Sequence, residues 1–152
     1  MDLAEHTAAT CRASRHTRVQ HLITADESSV VDLELLAATL PICSTGRVFI
    51  EIPDASFHAD IAMPARMTVT WLDRSQRTGD PGTGRGCVPG QAIARAVNAW
   101  ADEMFCDGED ETRIHLLGGY LGTADIVDHL VEMGIRPDVI ATPERFGLTP
   151  AR

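Results

Sequence analysis

The sequence predicts an α/β fold, a three-layer Rossmann-like domain around a mostly parallel sheet of about five strands. Three observations carry this. Short β-branched runs alternate with segments of helical period along most of the chain. Glycine and proline punctuate the joins between them. The chain has 152 residues, 44% of them hydrophobic and 23% charged, enough for a single packed core.

The first strand is expected at Val19–Thr24, where Val19, Leu22, Ile23 and Thr24 cluster. Ser29 stands three positions before Asp32, a capping-box spacing. Val30, Leu33, Ala37 and Leu40 then recur at the helical spacing of one buried stripe, and Pro41 ends the helix. Gly46 opens a second strand, Arg47–Ile52, closed by Pro53-Asp54, and Met67–Leu72 reads as a third.

Residues 73–90 hold five glycines and two prolines and are expected as a flexible loop without regular structure. Beyond them, Ile93, Ala96, Val97, Trp100 and Met104 mark an amphipathic helix. Arg113–Leu117 is the fourth strand and leads into Gly118-Gly119. Thr123 is placed to cap a third helix, with Asp125 in its first turn and Ile126, Val127, Leu130 and Val131 as its buried stripe. Gly134 stops that helix, and Pro137–Ala141 is a short last strand.

The resulting order is β-α-β-β-α-β-α-β. Helices between apolar strands cover sheet faces, which favours a parallel sheet with right-handed crossovers. Ligands of such sheets bind at the carboxyl ends of the strands, where Thr24, Leu72-Asp73-Arg74 and Gly118-Gly119 should meet.

Charge and cysteine usage narrow the function classes. Thirteen Lys+Arg against 22 Asp+Glu give a net charge of −9, which argues against a sequence-independent grip on nucleic acid or an anionic membrane. No run approaches the roughly 20 apolar residues of a membrane span, and Met1–His6 lacks a basic-then-apolar leader pattern. The expectation is a cytoplasmic protein. Cys11, Cys43, Cys87 and Cys106 contain no Cys-x-x-Cys pair, so reduced thiols are expected rather than a disulfide framework or zinc knuckle.

Residues 1–18 read as a flexible basic arm carrying Arg12, Arg15 and Arg18, residues 19–142 as the folded domain, and 143–152 as a C-terminal tail. His6, Cys11, His16 and His21 recur every five residues, a period that no regular element gathers on one face, so no metal site is expected there. His58, His115 and His129 have no orienting partner nearby in the sequence and read as packing or surface residues.

The turn Thr24-Ala25-Asp26-Glu27-Ser28-Ser29 precedes a helix N-terminus, a natural anion site, yet it has no glycine and carries two acids. On pattern alone it is a helix start and not a nucleotide site. Arg74 reads equally as an exposed arginine beside Asp73 or as a partner for a ribose 2′-phosphate. Gly118-Gly119 permits close approach of a ligand or a tight turn.

Four segments resemble a known family in order: His21-Leu22-Ile23-Thr24-Ala25-Asp26-Glu27-Ser28, Arg47–Ala55, Val69-Thr70-Trp71-Leu72-Asp73-Arg74 with the Gly-Asp-Pro-Gly loop after it, and Ile114-His115-Leu116-Leu117-Gly118-Gly119. Together they resemble the C-terminal domain of siderophore-interacting proteins, the flavin-dependent ferric-siderophore reductases of the ferredoxin-reductase superfamily, over about residues 19–142. The resemblance implies an NAD(P)H-binding domain that passes electrons to FAD, which then reduces siderophore-held iron.

In that family an Asp-Glu-Thr/Ser turn replaces the glycine fingerprint. Carried across, the resemblance puts Thr24, Asp26, Glu27, Ser28, Gly118 and Gly119 around NADPH or NADH, with Arg74 as the 2′-phosphate candidate. No catalytic residue and no metal ligand is assigned.

Two departures stand out. Gly119 replaces a common glutamate, and Ala141–Gly147 replaces an aromatic ending that lies near the flavin. The 18 residues before the domain are too few for the family's flavin barrel, so FAD binding by this chain alone is not expected. The implied role is that of a stand-alone nucleotide-binding component working with a separate flavin-bearing partner. The alternative is a non-catalytic interaction or regulatory module that keeps the fold. A homodimer stays open.

Overall fold

A computed structural model describes residues 19–105 and 112–148. The segment 1–18, with His6, Cys11 and His16, lies outside the described residues, as do Cys106 and residues 149–152.

Five strands form one all-parallel sheet in the order β3-β2-β1-β4-β5. They are β1 (Gln20–Asp26), β2 (Thr45–Ile52), β3 (Arg66–Asp73), β4 (Thr112–Leu116) and β5 (Ile140–Ala141). Three helices accompany them: α1 (Val30–Thr39) between β1 and β2, α2 (Gln91–Met104) between β3 and β4, and α3 (Tyr120–Glu132) between β4 and β5. The order is that of a doubly wound sheet. Its winding reverses between β1 and β4, and the carboxyl ends of those strands border the crevice where such folds bind ligands.

Alternation along the strands sorts the core into two layers. Leu22, Phe49, Leu72, Ile114 and Leu116 face α2 and α3, packing on Ile93, Val97, Ile126 and Leu130. Ile23, Ala25, Val48, Ile50, Ile52 and Met67 face the opposite side, under Leu33 of α1. The β2–β3 connection has no α-helix; Ile61 and Met63 from that connection complete the second layer.

Several local expectations need correction. Ser29 does begin α1, but its hydroxyl turns back to accept from the Asp26 amide at 2.9 Å, so the capping box does not form. Helix α3 starts at Tyr120, not after Thr123, and Thr123 sits buried inside it with Oγ1 donating to the Gly118 carbonyl. Met104 and Val131 are about half exposed, so neither belongs to the buried stripe of its helix. Pro137–Val139 forms a 3-10 turn, leaving only Ile140–Ala141 to pair with β4.

The glycine-rich loop is more ordered than its composition suggests. Thr78 and Gly86 form an antiparallel bridge, and the Gly79 amide donates to the Arg85 carbonyl at 2.8 Å. Arg95 of α2 donates to the Thr78 carbonyl at 2.8 Å and ties the loop to the helix. Among the described residues, no helix is long and apolar enough to cross a membrane.

Candidate functional site

Parallel register places Thr24 beside Leu116 and Asp26 beside Glu51, so β1, β2 and β4 deliver their last residues to the same edge. A cleft of about 190 Å³ opens there, lined by Thr24, Asp26, Glu51, Gly90, Gly118 and Gly119 together with the start of α3. It is smaller than the roughly 300 Å³ at which pockets for whole drug-sized ligands begin. A ligand longer than a few atoms groups must therefore continue over the surface.

Two helix N-termini meet at this cleft, and glycine is what lets them. A Cβ on Gly122 would come within 2.9 Å of the Gly90 Cα, and one on Gly90 within 2.8 Å of the Gly122 amide nitrogen. Gly90 also adopts φ +93°, a conformation that L side chains rarely take. The two ends differ in charge balance. Buried Glu51 accepts from the Gly90 and Ile93 amides, each at 2.8 Å, and so neutralises the start of α2. Among the described residues, no side chain caps α3 by a hydrogen bond. Its first-turn amides lack intrahelical acceptors and leave the positive end of its dipole open towards the cleft.

The predicted residues divide into two groups. Thr24, Asp26, Gly118 and Gly119 come together. Thr24 is 1% exposed and its hydroxyl has no hydrogen-bond partner, while lining the cleft. Asp26 Oδ1 accepts from the Ser28 amide at 2.9 Å and the Ser28 hydroxyl at 2.6 Å. Its Oδ2 faces Gly119, where a Cβ would approach it to 3.3 Å. Ser28 thus aims Asp26 and spends its own hydroxyl doing so.

Glu27 and Arg74 form the second group, one step away. Arg74 Nη2 meets Glu27 at 2.8 Å and Nη1 meets Glu51 at 2.8 Å, with the guanidinium side chain 10% exposed. The hydrogen bonds it donates to Glu27 are the main reason its pKa is held above the ordinary arginine value, and burial opposes them. Arg74 is therefore not an exposed residue beside Asp73. It is an internal tie between the β1–α1 turn and the capping carboxylate of α2.

Sequence reasoning missed Glu51, Gly90 and Gly122. The available signal for Glu51 was a carboxylate enclosed by Ile50 and Ile52 in a strand ending at the site. The C-terminal segment, expected as a tail, also returns here: Phe146 packs edge-to-face on Tyr120 with ring centroids 5.5 Å apart, and Arg145 lies over the Phe146 ring. The three remaining histidines do have partners. His129 meets Asp102 at 2.7 Å, His58 stacks on Trp71, and His115 stacks on His21.

The family model described as siderophore-interacting protein matches residues 19–116, which runs from the start of β1 to the end of β4 and takes in Thr24, Asp26, Glu27, Ser28, Glu51 and Arg74. The chain belongs to the siderophore-interacting protein family. Solved members share the fold at low identity. The siderophore-interacting protein SipS from Aeromonas hydrophila superposes with a TM-score of 0.59 at 13% identity, over 83% of this chain and 45% of that one. A siderophore utilization protein from T. fusca gives 0.58 at 20% identity, over 80% of this chain and 42% of that one. The siderophore-interacting protein from Acinetobacter baumannii gives 0.56 at 10% identity, over 84% and 44%. This chain thus matches less than half the length of each of these proteins. No curated protein sequence matches it.

Proposed function

We propose that this member of the family binds a nicotinamide nucleotide and serves as the electron-donor component of siderophore-linked iron reduction, together with a separate flavin-bearing partner. The observation that carries the reading is the buried, unpartnered Thr24 hydroxyl, which lines a cleft at the β1–β4 crevice beside the uncapped start of α3. A buried hydroxyl without a partner is destabilising by about 1–3 kcal/mol, so its presence in the cleft wall suits a ligand that completes it.

The residues fit part of a dinucleotide. The open amides of α3 suit a pyrophosphate, and Gly118-Gly119 leave the backbone approachable. Thr24 can donate to a phosphate oxygen, and Asp26 Oδ2 can accept from a ribose hydroxyl or a carboxamide N–H. When bound, the reduced nicotinamide supplies two electrons. The protein's share is to bind it, orient it through Asp26, and keep its far end at the mouth of the cleft. Val88, Tyr120 and Leu121 expose apolar surface there. The flavin-bearing partner is the occupant proposed for that rim, because the solved family members carry more than twice the matched length.

Arg74 remains the 2′-phosphate candidate, but Glu27 competes for it. A 2′-phosphate reaches the guanidinium only by displacing that carboxylate, so the intact protein should prefer NADH. Calorimetric titration with NADH and NADPH tests both points. Glu27→Gln should raise NADPH affinity relative to NADH, by about tenfold for one removed charge contact of about 1.4 kcal/mol. Absence of binding of either nucleotide at millimolar concentration would sink the proposal. It would favour the second reading, a non-catalytic interaction module, which the net acidic cleft edge of Asp26, Glu27 and Glu51 against Arg74 also suits.

A further inference from the structure

A second cavity lies at the other end of the sheet. It measures about 140 Å³, and its walls include His21 near the amino end of β1, Arg113 near the amino end of β4 with His115 two residues further along that strand, Thr39 and Leu40 from the end of α1, and Ser44 before β2. Asp26 lies five positions beyond His21, about 16 Å along β1, so the cavity is distinct from the nucleotide cleft.

Its chemistry is also distinct. His21 is 3% exposed, and its Nδ1 is buried without a hydrogen-bond partner. The His21 and His115 rings stack with centroids 6.1 Å apart. Burial, then His115 and Arg113, hold His21 down at about 4, and burial and Arg113 push His115 below its ordinary value. Both rings are therefore neutral near pH 7, and each carries one N–H. Among the described residues, Arg113 is the only charged one lining the cavity, and none of them brings a carboxylate to it. Arg113 forms no ion pair with any described residue.

The end of α1 offsets this charge only in part, because two of its last four carbonyls are already used. The Thr39 hydroxyl donates to Leu36 O and the Leu40 amide to Ala37 O. A cation is disfavoured by Arg113, and no group of three metal-ligating side chains occurs among the described residues.

We infer that this cavity is a binding site for a small oxyanion, a short carboxylate or a single phosphate, held by the Arg113 guanidinium at its mouth and an imidazole N–H of His21 within. The volume admits nothing larger than such a group, being about half of the smallest drug-sized pocket. Charge-assisted donors around one oxyanion are the strong class of hydrogen bond. Binding must also be reciprocal: an anion beside the rings stabilises their protonated forms as much as protonation favours the anion.

Histidine-resolved NMR of the full chain, titrated separately with acetate and with inorganic phosphate, tests this. Saturable shifts of the His21 and His115 signals with either anion are expected, with an upward move of the His21 pKa from about 4. Arg113 is exposed, so Arg113→Gln should fold normally and weaken the binding about tenfold or more. Saturation by one anion alone identifies which oxyanion geometry the cavity takes and supports the site. Absence of saturation with both anions would overturn it, as would an unchanged affinity in Arg113→Gln.

Discussion

The two ends of β1 hold opposite kinds of site. At the carboxyl end, Thr24 and Asp26 face a cleft built from β1, β2, α2, α3 and the loops before those helices, where two helix N-termini meet and beside which two acids and an arginine are locked in a chain. At the amino end, His21 faces a smaller cavity to which the described residues bring two neutral rings and one arginine but no carboxylate. Each end contains one buried polar atom of β1 that lacks a partner, Thr24 Oγ1 or His21 Nδ1. The lesson is that the unfilled hydrogen-bonding capacity of this strand is concentrated at its ends, while its middle is sealed by Leu22 and Ile23 between the two helical layers.

The contrast can be broken most severely at Glu51. It is buried, takes two helix amides and holds one side of Arg74, so Glu51→Ala leaves two N–H groups without their acceptor and Arg74 with Glu27 alone. A loss of about 4 kcal/mol is expected in urea unfolding, from two unmade buried hydrogen bonds, with nucleotide binding lost as the start of α2 shifts. The His21 cavity should keep its anion response if the fold survives, which shows whether the two ends are independent.

Gly122→Ala comes next. Its Cβ would press on the Gly90 backbone, atoms that cannot rotate away. About 3 kcal/mol of destabilisation is expected by thermal denaturation, the upper part of the range for overpacking. The larger readout is the cleft, whose two helix ends are forced apart.

At the amino end the expected effect is a pH dependence. Burial, with His115 and Arg113 nearby, holds the His21 pKa down at about 4 in the folded protein, against an ordinary histidine value of 6.5. Between these values the unfolded chain binds the extra proton, so its stabilising contribution is complete above pH 6.5 and is lost as pH falls towards 4. From pH 6.5 to 5 this group alone accounts for roughly 2 kcal/mol. Urea midpoints measured across that window should slope upward with pH, and His21→Gln should flatten the slope. An equal slope in the variant would show that other groups carry it.

Thr24→Val gives the smallest effect and the most discriminating sign. Removing a buried hydroxyl that has no partner should leave stability unchanged or raise it by about 1 kcal/mol, while nucleotide affinity falls. A variant that loses stability without losing affinity would mean that the hydroxyl serves packing and not a ligand.

Much of this was legible before any coordinates. The 3- and 4-residue recurrence of Leu33 and Ala37, or of Ile126 and Leu130, states locally which side chains turn inward, and β-branched runs bounded by glycine and proline mark strands. The Asp-Glu-Ser turn, Arg74 and Gly118-Gly119 could be nominated because they lie at strand ends in a sheet whose winding follows from element order. The misplaced start of α3 has a clear cause. Thr123 is a better cap than Gly119 by propensity, but the packing of Gly122 on Gly90 extends the helix back past it.

The sequence by itself therefore determined the element order, the parallel sheet and the turn that carries Asp26, since each depends on residues a few positions apart. Only the tertiary structure decided that Arg74 is tied to Glu27 and Glu51, that Glu51 caps α2, and that His21 meets His115. Those contacts join residues 23 to 94 positions apart, and no local pattern records which distant charge or ring a side chain will meet once the sheet brings its strands into register.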